Sequence, residues 1–120
     1  MSLINFVKEG KIGWLELNRP ESRNALSLDL MNEMIHILSM IKDDESLHVQ
    51  IIHGNGSAFS SGHDLKELDG DNDESYYHSI FSTCSELMLI LSKLPQPVIA
   101  MVHGAATAAG CQLVASCDLA

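Results

Sequence analysis

Aromatic side chains make up only 5% of this 120-residue sequence, so its core has to be assembled from Leu, Ile, Val, Ala and Met rather than from large rings. Cysteine is scarce: Cys84 lies in one apolar stretch, and Cys111 and Cys117 lie in another. An odd count without CxxC spacing excludes a disulfide framework, and buried thiols in a reducing compartment are expected. No apolar run reaches the roughly 18 residues that span a bilayer. The start Met1-Ser2-Leu3-Ile4 has no cationic segment followed by an apolar core, so a cytoplasmic protein with no membrane partner is expected. Cations are few, 7 Lys+Arg against 16 Asp+Glu for a net charge of -9, which opposes binding to nucleic acid. A small anion remains open, because local cations or helix N-termini hold one whatever the global charge. The six histidines, His36, His48, His53, His63, His78 and His103, have no HxxxH or HxH spacing, and no metal site is expected.

The chain is too short for two ordinary cores and reads as one domain over residues 1–120. Apolar residues alternate around Gly10 from Ile4 to Leu17, the pattern of a β-hairpin. A polar turn, Asn18-Arg19-Pro20-Glu21-Ser22-Arg23-Asn24, follows, with both arginines available to a ligand. Ser27 is placed to cap a helix whose apolar positions Leu28, Met31, Met34, Ile35, Leu38 and Ile41 recur at three- and four-residue spacing, ending at Lys42-Asp43-Asp44. Val49 to His53 reads as a buried strand, and strand, helix, strand predicts a right-handed crossover. The acidic stretch from Asp69 to Glu74 reads as a solvated loop. A second helix is predicted from Ser75 to Leu94, with Ile80, Cys84, Leu87, Met88 and Leu91 as its apolar stripe, stopped by Pro95-Gln96-Pro97. Val98 to Val102 is predicted as a buried strand and Ala105 to Ala120 as a helical segment. The alternation of strands and helices gives an α/β class and suggests a layered spiral.

Small residues gather at two junctions, Ser60-Ser61-Gly62-His63-Asp64 and Gly104 to Gly110. Small side chains let a ligand approach the backbone, and two free N–H groups converging on one point form an oxyanion hole. The same residues also allow close helix packing in any α/β protein, so by themselves they leave both readings open. Asp64 is expected to brace its loop through backbone hydrogen bonds, with Lys66 and Glu67 on a solvated helical turn.

Three ordered motifs go further. Asn18-Arg19-Pro20 with Arg23-Asn24-Ala25-Leu26, then Phe59 to Leu68, then Pro97 to Gly104 continuing through Gly110-Cys111-Gln112-Leu113 to Cys117-Asp118, together resemble the crotonase (enoyl-CoA hydratase/isomerase) superfamily over essentially the whole chain. The resemblance implies a crotonase-like ββα spiral, of which residues 1–120 are the N-terminal portion with the C-terminal half absent. It implies binding of an acyl-CoA thioester and stabilisation of a thioester enolate, with coenzyme A part of the substrate and no further cofactor. The oxyanion donors carried over are the backbone N–H groups of His63 and Ala109, and the His63 ring is expected to matter less than its N–H. Arg23, Asn24, Ala25, Ser60, Ser61, Gly62, Asp64 and Leu65 are expected along the substrate groove, with Arg23 meeting a phosphate. A homo-trimer or hexamer is implied as well.

The sequence also departs from the pattern. Hydratases of the superfamily activate water with two glutamates; the first position is Gln112 here, and the second falls beyond Ala120. An amide orients water but cannot accept a proton as a carboxylate does. Hydration, isomerisation and thioester hydrolysis therefore stay open, and so does a non-catalytic acyl-CoA-binding or self-associating protein.

Overall fold

A computed structural model describes residues 2–69 and 73–120. The hairpin pairs β1 (Ile4–Glu9) antiparallel with β2 (Ile12–Leu17), turning at Gly10 with φ of +60°. Positive φ costs glycine nothing. Along β2, Gly13, Leu15 and Leu17 face the core while Ile12, Trp14 and Glu16 face the other way, the two-residue period of a strand.

Ser27 caps α1 (Leu28–Lys42), its Oγ accepting the Leu30 N–H at 3.2 Å. The helix buries Leu30, Met31, Met34, Ile37, Leu38 and Ile41. Leu28 and Ile35, expected to point inward, are only half-buried, because the helix packs on α3 (Glu74–Lys93) as well as the hairpin and its core face turns to lie between them. The α3 stripe is the predicted one, Ile80, Cys84, Leu87, Met88 and Leu91.

Strand β3 (Val49–Gly54) runs parallel to β2, and β5 (Val98–Ala100) runs parallel to β3, giving the order β1-β2-β3-β5. A second sheet of two parallel strands pairs β4 (Ala58–Ser60) with β6 (Ala105–Ala106). Between them in sequence lie α2 (Leu65–Leu68) and α3, and α4 (Ala109–Ala115) follows β6.

Several expectations need correction. The strand predicted to reach Val102 ends at Ala100, where its register with Ile52 ends, and Met101 and Val102 are exposed. The predicted helix from Ala105 to Ala120 is confined to Ala109–Ala115, because β4 takes Ala105 and Ala106 as a strand partner. The proposed acidic loop falls partly on residues 70–72, outside the described residues, but Asp73 is the cap of α3, accepting the Tyr76 N–H at 2.9 Å, and Glu74 opens that helix. The thiols are not uniformly buried: Cys84 is, Cys117 is half-buried and Cys111 is exposed. Burial, helped by the Asp118 charge, pushes the Cys117 thiol up to about 11.

Candidate active site

Two loops are stitched together by backbone hydrogen bonds. Leu26 N–H donates to Gly62 O at 2.7 Å and Ser61 N–H donates to Arg23 O at 3.0 Å, fixing the arginine turn against the 60–63 segment. From the other side, Thr107 N–H donates to Ser60 O at 3.1 Å, which brings the start of α4 to the same place. Gly62 sits between them with φ of +95°. A Cβ there would lie 3.0 Å from Thr107 O and 3.2 Å from Ala109 N, so the absence of a side chain lets the two loops meet. Gly110 does the same one layer down, where a Cβ would lie 2.2 Å from Ser60 O.

This junction leaves two amides open. Among the described residues neither the His63 N–H nor the Ala109 N–H has a protein acceptor, whereas the flanking Gly110 N–H donates to Thr107 O at 2.8 Å. Buried amides are nearly always paired, and Ala109 is buried. Ala108, which aims the start of α4, has φ of +52° and ψ of -123°, a region that alanine enters only at a cost.

Arg23, Ala25, Ser61, His63, Asp64 and Leu65 line one groove of about 290 Å³, together with Lys66. The structure thus gathers most of the expected binding residues. Ser60 and Gly62 lie beneath it: Ser60 is fully buried and its Oγ donates to Asn24 O at 2.9 Å, so its hydroxyl braces the floor rather than facing a ligand. Gln112 is not among the residues lining this groove; it is exposed on the first turn of α4, three residues after Ala109, and its N–H donates to Ala108 O at 3.1 Å.

The arginines divide. Arg19 is not available as expected, since its Nη1 is 2.9 Å from Asp64 Oδ2 and both side chains are largely buried; Arg23 is exposed on the groove. Asp64 also accepts the Lys66 N–H at 3.0 Å, capping α2. Burial pushes the Asp64 carboxyl up, but Arg19 and the N–H groups of Lys66 and Glu67 outweigh it and hold it below its ordinary value. Glu67 is likewise not on a solvated turn, because its carboxylate accepts the Leu28 N–H at 3.1 and 3.2 Å, at the start of α1, where the helix dipole favours an anion.

His63 is half-buried, with its ring edge-on to Phe81 at 5.1 Å and 81°. Burial pulls its pKa below the ordinary 6.5, and the Glu67 charge opposes that pull. Sequence reasoning did not find Glu67 as the partner of α1 or Phe81 as the wall against His63, and it placed Asn24 along the groove, which the structure corrects to a buried brace. Fully buried, Asn24 donates through Nδ2 to Asn55 O at 2.9 Å and Ala58 O at 3.0 Å, and accepts the Arg19 N–H at 2.8 Å. Only the Asn-rich turn around it hinted at this, since asparagine tolerates the positive φ of 54° it adopts.

Comparison with known proteins shows the family and the fold. The enoyl-CoA hydratase/isomerase family pattern matches residues 8–120. The mitochondrial enoyl-CoA hydratase domain-containing protein 3 of Danio rerio is 50% identical over 113 residues, covering 94% of this chain and 39% of that protein. Its Homo sapiens counterpart is 49% identical over 104 residues, 87% of this chain and 34% of that protein. The crystal structure of an enoyl-CoA hydratase from Mycobacterium smegmatis superposes with a TM-score of 0.95 at 42% identity, over 99% of this chain and 47% of that one. The chain therefore spans between a third and a half of these relatives. Those named mitochondrial overturn the cytoplasmic expectation: it rested on the first few residues, and a chain spanning this share of its relatives gives them no weight. The motifs, the α/β layers and the superposition agree that the chain belongs to the enoyl-CoA hydratase/isomerase family.

Proposed function

We propose that the groove binds an acyl-CoA thioester and that the N–H groups of His63 and Ala109 hold its carbonyl oxygen as negative charge develops there. The observation that carries this reading is the pair of amides without acceptors among the described residues, at the junction Gly62 makes possible. Donors fixed in advance stabilise an enolate without reorganising during the reaction, and one such donor is worth roughly 10²–10³ in rate. Arg23, exposed on the rim, meets a phosphate of coenzyme A. Exposed Val7, Met40, Phe81 and Leu89 supply apolar surface for assembly into a homo-trimer or hexamer.

Gln112 argues against ordinary hydration, because its neutral amide accepts no proton from water. Double-bond isomerisation and thioester hydrolysis need the same oxyanion donors and remain the favoured reactions. The test is calorimetry on the full chain with crotonyl-CoA and with free coenzyme A, paired with a hydration assay. The expected result is tighter binding of the thioester and hydration below about 1 per second, under the usual enzyme range. Absence of binding refutes the acyl-CoA reading, and hydration at about 10² per second refutes the reading of Gln112.

A further inference from the structure

His63 presents more than its amide. Its Nδ1 is buried and has no hydrogen-bond partner among the described residues, and a buried polar atom left unpaired in a native fold calls for an explanation. Among the described residues Nε2 has no protein partner either, and Nδ1 is the enclosed nitrogen of this half-buried ring. Two neighbours fix the ring: Phe81 on α3 lies edge-on to it, and Glu67 on α2 acts on it by charge while its own carboxylate is held by the Leu28 N–H. The remaining charged groups of the groove are Glu21, Arg23, Lys66 and the Arg19–Asp64 pair, and Tyr76 on α3 lies close to Glu67. An imidazole held this way, on the residue whose N–H is proposed to hold the thioester oxygen and without a protein partner among the described residues, is placed to exchange a proton with a ligand.

Resting on the acyl-CoA reading above, we propose that the His63 imidazole touches the bound thioester and is the proton-carrying catalytic residue of this groove, a role that Gln112 cannot fill. In the forward step the neutral ring takes a proton from the acyl carbon next to the thioester. The C–H bond breaks, an N–H bond forms on the imidazole, and the freed electron pair moves onto the thioester oxygen held by the two amides. Return of the proton to the same carbon is exchange, and return to the carbon two positions further along an unsaturated chain is isomerisation. Neither needs an oxidant, a metal or added water. Burial favours the neutral ring, the form that accepts a proton, and Glu67 is a positioning residue that limits how far its basicity falls.

The substitution His63→Ala separates the two roles of this residue, because it keeps the backbone N–H and removes the ring. The probe is deuterium exchange into butyryl-CoA, followed by NMR in the full chain, with binding measured on the same samples. The expected result is binding within about threefold of the unsubstituted protein and exchange slower by about 10²-fold or more. In the unsubstituted chain exchange should rise with pH through a midpoint below 6.5, and Glu67→Gln should move that midpoint lower still. Binding without exchange in the unsubstituted chain, or equal exchange rates in His63→Ala, overturns the role of the ring and leaves the acyl-CoA reading standing. A midpoint unmoved by Glu67→Gln overturns the part assigned to Glu67. Failure of the unsubstituted chain to bind butyryl-CoA overturns the acyl-CoA reading and this proposal with it.

Discussion

Asp64 holds Arg19 with one oxygen and caps α2 with the other, so one carboxylate ties the arginine turn to the loop that carries His63. Because its pKa is lowered in the fold, its contribution is complete above the unfolded value of about 3.9 and is lost as the pH falls through the folded value. Asp64→Asn should cost about 2–3 kcal/mol near neutral pH, since it strands a largely buried guanidinium, and should flatten the acid limb of a denaturation series below about pH 4. A variant as stable as the original at pH 7 would show that the pair is dispensable. Gln112 gives the converse prediction. If the amide is what limits hydration, Gln112→Glu should raise crotonyl-CoA hydration by about tenfold or more, read by loss of the enoyl absorbance. At the thiols, exposed Cys111 should be alkylated first by iodoacetamide at pH 7.5, with Cys117 and Cys84 labelled only after denaturation, because burial raises both of their pKa values and shields them.

At the level of elements, Gly62 and Ala108 govern how the two loops meet. Gly62→Ala would put a methyl group 3.0 Å from Thr107 O and 3.1 Å from the Ala108 Cβ at a φ of +95°, and the loops would have to separate. It should weaken butyryl-CoA binding by about tenfold while costing about 1–3 kcal/mol of stability, measured by calorimetry and urea denaturation. The sequence made the hairpin, the Ser27 cap and the α3 stripe legible because each is a local pattern: alternation, an N-cap residue and a repeat of three and four. It did not reveal the end of β5 or the shortness of α4. The end of β5 is set by its short register with β3, and the shortness of α4 by β4, a three-residue strand distant in sequence that captures Ala105 and Ala106; local helix propensity in an alanine-rich run is overridden by such a partner.

Across the whole molecule, the four-stranded sheet has its core on one side, where Leu15, Ile52 and Ala100 lie buried, and a second apolar row of Val7, Trp14, Ile51 and Ile99 on the other. The first row was legible from strand alternation. The site was legible in part, because small residues at two junctions marked where backbone approaches backbone. The roles of Glu67 and Phe81 were not, because each acts on a residue that only the fold brings near. Whether a thioester oxygen lands between the His63 and Ala109 amides is read by ¹⁵N-resolved NMR of the full chain titrated with butyryl-CoA and, separately, with free coenzyme A. The thioester, and not coenzyme A alone, should move the amide protons of His63 and Ala109 downfield together and more than any other pair. Shifts confined to the Arg23 rim, with these two amides unmoved, would contradict that placement.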